Sequence, residues 1–493
     1  MSIAKKALTG VVWTSGVNYI TQGLGMLSTA MLGRLLLEQQ MGLFAFGSSI
    51  KEFFFILSAF SFNISIIQCH EERPHLYSTA LVLTILLGVA TLLLTGLSLI
   101  GYSQFRPLST TESAVILALS VVGMVNLLGQ HFDAILQRDL QFKRISLISF
   151  LMNVANPTVA VSLAALGAGV WGLVAGQLAG AMVFLVGSWH FAGWKIAVTY
   201  SKDTAKWFMT IGSKYLGSRS LEVLYTELDK IVIKRVMGSY DQVGLYDRAN
   251  LAAKYPTRIV NPVVANVALP VYSKLKQDRA QLSEAYGLVT FFLIRALLPF
   301  GLVFLLAPDA FITALLGERW LAAGKVLRVL AAYAVVFPIV ENLKVLFYAL
   351  GRPEVVSKAR IAQIAVFVPL LFLLVNLMGI VGAAYAILVS ILVTYAVFLF
   401  LLRGEVEFSL VRTVGMPMAF AGLTYLAYSV LPQPHFGNRI MELLFSSCII
   451  FSIFGACEML FERQIIFKHI RYIRTTLGSP TSDELEATRD RER

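Results

Sequence analysis

Runs of roughly twenty or more predominantly apolar residues, separated by short polar breaks, recur close to fourteen times along this chain. A helix of that length crosses the hydrocarbon core of a bilayer, where only helices and closed barrels satisfy every backbone N–H and C=O. The pattern predicts an all-α, polytopic membrane protein with spans near 8–36, 42–68, 77–101, 113–136, 145–167, 170–190, 206–236, 242–272, 284–307, 321–350, 356–378, 380–402, 410–431 and 440–461. With 57% hydrophobic and only 14% charged residues, the chain lies well outside the makeup of an ordinary soluble domain. The opening MSIAKKALTGVVWTSG has two lysines before its apolar run, yet no small-residue cleavage site follows. It is read as the first span, not as a leader.

Orientation follows from the basic residues, because short cytoplasmic loops are enriched in Lys and Arg. With the N-terminus inside, the expected inner segments hold 24 of the 41 bases, whereas the outer loops hold only Arg106, Arg319 and Arg439. Both termini are therefore expected in the cytoplasm. The same parity decides segment 206–236, which hydropathy alone would reject for its Arg219, Glu222, Glu227, Asp229, Lys230 and Lys234. Without that span the later basic loops would fall outside; an interfacial amphipathic helix is the alternative. The +12 net charge is accounted for by this bias and a basic interior, so no nucleic-acid partner is expected. Three cysteines (Cys69, Cys448, Cys457) and six scattered histidines show no ligand spacing, and no metal or cofactor is expected.

Two internal matches suggest a duplication. QQMGLFAFGSSIKEFF (39–54) resembles DQVGLYDRANLAAKYP (241–256), aligning Gly42 with Gly244, and GVWG (169–172) resembles GIVG (379–382). The expected organisation is two six-helix lobes, 1–200 and 201–405, two additional helices over 406–462, and a cytoplasmic tail without fixed structure over 463–493. Duplicated transporter halves place their substrate site between them, near the bilayer midplane.

Fourteen bases remain inside the spans. A charge at that depth costs about 2.5–3.5 kcal/mol on insertion scales, so such residues face a protein interior or a wet cavity. The richest stretch is Asp241 to Lys276, where Asp247, Arg248, Lys254 and Arg258 interrupt an otherwise span-like segment and Pro256, Pro262 and Pro270 predict bends. Its counterpart in the first half carries Lys51 and Glu52, which follow Arg34 at the end of the first span; Arg295 sits inside the ninth. Glu341 and Lys344, spaced i, i+3, are expected to neutralise one another.

QRDLQFKRISLI (137–148), VGLYDRANLAAKYPTRIVNPVVANVALPVYSKLKQD (243–278), LGERWLAAGKVLRVL (316–330), and GRPEVVSKARIAQIAVFVPLLFLL (351–374) followed by GIVGAAYA resemble the oligosaccharide flippases of the Wzx and polysaccharide-transporter type. These share a superfamily with MATE drug exporters and lipid II flippases. The resemblance runs from the N-terminus to about residue 405. It implies a transporter of the bacterial inner membrane that moves undecaprenyl-pyrophosphate-linked oligosaccharide to the outer leaflet by alternating access, for exopolysaccharide or lipopolysaccharide biosynthesis. Polymerase and chain-length proteins of the same pathway are its implied partners.

A pyrophosphate is a multiple anion that Arg forks and Lys point charges recognise. The resemblance implies a cationic cavity at Arg34, Lys51, Arg219, Lys254 and Arg258, to which the intramembrane charges add Arg248 and Arg295. The acids Glu52, Glu222, Glu227, Asp229 and Asp247 are candidates for pairing or for proton or sodium coupling. An enzyme is not expected: the outer loops are too short to hold a glycosyl acceptor, and no phosphate-binding loop or metal-protease motif is present. A lipid II flippase and a MATE-like exporter are the alternatives, the second disfavoured because cationic drugs would not suit a basic cavity.

Overall fold

The computed structural model describes residues 3–56, 62–69, 75–105, 108–194, 199–264, 268–406, 411–431 and 437–469. The expected tail beyond residue 469 and the loop bases Arg73, Arg106 and Lys195 lie outside them. Among the described residues all regular structure is helical.

The first half contains α1 (Ile3–Leu35), α2 (Glu38–Phe54), α3 (Phe62–Gln68), α4 (Leu76–Phe105), α5 (Thr110–Arg138), α6 (Phe142–Ala165) and α7 (Val170–Ala192). The second half contains α8 (Lys202–Met237), α9 (Tyr240–Ala253), α10 (Tyr255–Val263), α11 (Leu269–Leu275), α12 (Arg279–Leu306), α13 (Pro308–Leu316), α14 (Ala323–Ala349), α15 (Pro353–Met378) and α16 (Ile380–Leu402). Two more helices follow, α17 (Met416–Val430) and α18 (Arg439–Phe461). The described part of each expected span is almost entirely helical, and α13 lies between two of them. Eight described helical stretches are long and apolar enough to cross a membrane, one of them running through α15 and α16.

Local chemistry sets the boundaries. Ser109 and Glu112 form a reciprocal capping box at the start of α5. Asp278 and Asn438 accept from the first turns of α12 and α18. The charged segment 206–236 is one continuous helix, α8, capped by Ser201. The proline-rich segment after Asp241 breaks into α9, α10 and α11, because proline lacks the N–H that an uninterrupted helix needs. Gly169 and Gly379, matched in the sequence repeat, cap α7 and α16 with nearly the same backbone (φ 56°, ψ −132° and φ 62°, ψ −138°), a region open chiefly to glycine.

The halves meet where α2 lies against α9 and α8, while the end of α1 rests on α13. Gly42 and Gly244 face each other at this seam. A Cβ on Gly42 would stand 1.8 Å from the Tyr240 carbonyl oxygen, and one on Gly244 would stand 2.3 Å from that of Glu38. Small residues let two backbones approach this closely, and van der Waals contact is what holds helices together where lipid offers no hydrophobic contrast.

Arg295 does not face a cavity. It is buried between α12 and the end of α18, where its guanidinium donates to both carboxylate oxygens of Glu462 at 2.6–2.8 Å and to the Phe291 carbonyl at 3.1 Å. This pairing also corrects the expectation for the start of the tail. Residues 463–469 are helical, and the His469 ring packs 4.7 Å from that of Phe291.

Candidate functional site

A cavity of about 910 Å³ opens between the halves, on the side away from the Gly42–Gly244 seam. Its volume suits a large ligand head group. One wall comes from α2, α3 and α5, with Lys51, Glu52, Asn63, Asn126 and Gln130 as its polar residues. The other comes from α8, α14 and α15, with Lys214, Arg219, Glu222, Glu341, Lys344, Ser357 and Arg360. On α2 the cavity residues Lys51 and Glu52 lie near the C-terminal end and Gly42 of the seam near the other, whereas on α8 the cavity residues 214–223 lie in the middle of the helix.

Three carboxylates answer five bases. Lys51 pairs with Glu52 at 3.0 Å, Arg219 with Glu222 at 3.0 Å, and Lys344 with Glu341 at 2.5 Å. Lys214 and Arg360 have no carboxylate partner among the described residues. Arg360 donates to the Gln363 side-chain oxygen at 2.9 Å and lies 5.0 Å from the Tyr225 ring centroid, so the fork is held by neutral groups. The cavity thus carries an excess of two positive charges, and an anion entering it displaces no carboxylate from Arg360.

Between cavity and seam lies a second charged cluster. Glu227 accepts from Ser49 of α2 at 2.7 Å and from Lys230 at 2.7 Å. Asp247 pairs with Arg248 at 2.6 Å and stands 3.9 Å from Lys230, while Tyr246 donates to Asp229 at 2.7 Å. Lys254, at the end of α9, is electrostatically coupled to the same acids. Three acids face three bases, so the cluster is neutral and ties α2 to α8 and α9. A partially broken network of this kind would strand a buried charge. We expect Glu227→Gln, which weakens the hold on both Ser49 and Lys230, to loosen the seam; spin-label distances between the starts of α2 and α9 should broaden toward larger values.

Of the residues singled out in the sequence, Lys51, Glu52, Arg219 and Glu222 line the cavity. Glu227, Asp229, Asp247, Arg248 and Lys254 belong to the neutral cluster, where Glu227 pairs with Lys230 along α8, Arg248 with Asp247 along α9, and Lys230–Asp247 and Tyr246–Asp229 link the two helices. Arg34 sits at the seam end and donates to the Ala314 carbonyl at 3.0 Å. Arg258 is exposed, 5.8 Å from the Tyr255 ring, and Arg295 is the structural pair described above. Lys214 and Arg360 were not singled out. Arg360 was one of the 24 bases assigned to inner segments, although it lies near the start of the expected span 356–378 and α15, beginning at Pro353, carries it into the wall.

Two helical halves, sealed at one end and enclosing a cationic chamber at the other, are the architecture of a membrane transporter with a site between its lobes. Solved structures share this fold. The lipid II flippase MurJ in an inward closed conformation superposes with a TM-score of 0.72 at 12% identity, covering 92% of this chain and 100% of that one. An inward-facing multidrug resistance MATE family transporter of the MOP superfamily gives 0.55 at 17% identity, covering 81% and 94%. The chain belongs to the family of polysaccharide biosynthesis proteins, whose model matches residues 31–325, more than half of its length. Among curated relatives, the teichuronic acid biosynthesis protein TuaB of Bacillus subtilis (strain 168) is 26% identical over 361 residues, 72% of this chain and 73% of that protein. The lipopolysaccharide biosynthesis protein WzxC of Escherichia coli (strain K12) is 24% identical over 407 residues, 79% of each. A further relative, the succinoglycan biosynthesis transport protein ExoT of Rhizobium meliloti (strain 1021), is 26% identical over 332 residues, 66% of each chain.

Proposed function

We propose that the protein flips undecaprenyl-pyrophosphate-linked oligosaccharide across the bacterial inner membrane, delivering it to polymerase and chain-length proteins on the far side. The observation that carries this reading is the cavity's unbalanced charge, with Arg360 and Lys214 presented to the chamber without carboxylate partners. Two phosphates bound against an Arg fork and neighbouring ammonium groups gain charge-assisted hydrogen bonds in a site shielded from bulk water. The sealed seam and open cavity correspond to an inward-facing state if the N-terminus is cytoplasmic, and rocking of residues 1–200 against 201–405 would expose the same site outward. The matched glycines of the repeat support that division. The reading also includes return driven by a proton or sodium gradient through Glu227, Asp229 and Asp247, which join the two halves.

The test is flipping in proteoliposomes supplied with lipid-linked oligosaccharide. Arg360→Gln should lower the rate by about tenfold or more, the scale of one charge-assisted hydrogen bond. Lys325→Ala, exposed and outside the cavity, should match wild type at equal reconstitution. Equal rates for all three proteins would remove the anion site from this cavity. Transport of lipid II in place of the oligosaccharide would move the substrate assignment, and collapse of the ion gradients without effect would remove the coupling.

A further inference from the structure

The two walls of the cavity differ in kind. Apart from the paired Lys51 and Glu52, the polar groups of the first-half wall are the carboxamides of Asn63, Asn126 and Gln130. Asn126 and Gln130 are one turn apart on α5 and share its cavity face with Gly123. None of the three amides makes a side-chain hydrogen bond among the described residues. A neutral amide offers two donors and an acceptor, which matches a sugar hydroxyl or acetamido group and suits a phosphate poorly beside available cations.

A second observation points the same way. His131, next on α5, is only 3% exposed, and neither ring nitrogen has a hydrogen-bond partner among the described residues. Its ring edges pack on Phe132 and Trp194, at 5.2 and 5.8 Å between centroids, contacts that a phenyl ring would serve as well. The imidazole borders a space of about 20 Å³ together with Asn63, Gln130 and Thr84. Asn63, Leu127 and Gln130 border the main cavity too, so the two spaces adjoin across these side chains. It has room for one hydroxyl-sized group, and a buried polar atom calls for a partner of that size.

We propose that this amide wall, backed by His131, is the subsite for the sugar part of the ligand, while the cations of α8, α14 and α15 hold the pyrophosphate. The proposal rests on the flippase reading of the same cavity and adds where sugar specificity resides. A ligand bound this way lies across the interface, one end on each half. Its sugar end would select among oligosaccharides, and its phosphate end would serve any of them.

The test uses the purified full-length protein in detergent and two probes: sugar-free undecaprenyl pyrophosphate, and the polyprenyl-linked oligosaccharide extracted from cells lacking this protein. Asn126→Leu and Gln130→Leu change side chains that reach the cavity surface, and unchanged melting temperatures verify folding. Both should weaken binding of the sugar-bearing lipid by about tenfold while changing the sugar-free lipid by less than about twofold. His131→Phe should show the same selective loss, and Arg360→Gln should weaken both probes alike. If the amide variants weaken both probes equally, or neither, the sugar subsite is overturned and the anion site stands. If Arg360→Gln weakens neither probe, the flippase reading of this cavity falls and the subsite with it.

Discussion

Gly42→Val is expected to stop transport while leaving the protein inserted in the membrane. The reason is geometric. Even the first carbon of a side chain at Gly42 would stand 1.8 Å from a backbone oxygen and 2.9 Å from the Gly244 nitrogen, and neither atom belongs to a flexible side chain that could swing aside. The only relief is separation of α2 from α9. Overpacking typically costs about 1–3 kcal/mol, which converts to a shift of roughly five- to 150-fold against the sealed seam. Gly244→Val, acting from the other half, should produce the same phenotype. Spin labels at the starts of α2 and α9 would register the separation directly, and flipping in proteoliposomes would register its consequence. Wild-type distances together with wild-type transport would show that the seam does not need to seal in the transport cycle.

Arg295→Ala should lower the melting temperature more than any cavity substitution considered above. Removing one partner of a buried, bidentate ion pair leaves an uncompensated charge and typically costs about 3–5 kcal/mol. Here Glu462 would be stranded at 2% side-chain exposure, with Glu458 nearby adding like charge. The pair joins α12 to α18, so the loss should free the last two helices first, detectable as faster proteolysis near residue 462. Replacing both partners, Arg295→Leu with Glu462→Leu, should recover much of the lost stability, because two apolar side chains need no solvation. A single Arg295→Ala protein that melts like wild type would show that the pair contributes nothing to holding α18.

Parts of the site were legible in the sequence because a charge inside an apolar run demands an explanation wherever it lands. Lys51, Glu52, Arg219 and Glu222 were found that way and do line the cavity. Glu341 and Lys344 were read as a neutralising pair from their spacing alone, and they stand 2.5 Å apart, although the wall they occupy was not foreseen. Arg360 escaped notice because a base near a span end counts equally well as a loop residue. His131 gave no signal, since a lone histidine in an apolar helix is unremarkable until its nitrogens prove unpartnered.

The sequence by itself determined the helical membrane class, the approximate limits of the spans and the resemblance to oligosaccharide flippases. These properties depend on apolar run length, proline and glycine placement and local motifs, all of them short-range. Only the tertiary structure decided which charges meet. Arg295 and Glu462 are 167 positions apart, Ser49 and Glu227 are 178, and nothing local to either member announces its partner. Whether an intramembrane base lines a cavity, balances an acid or clamps two helices depends on what packing brings within a few ångströms of it. Lys254 and Arg360 are both cations within largely apolar stretches of sequence, and it is their neighbours across the helix interfaces that give one to a neutral cluster and the other to the open chamber.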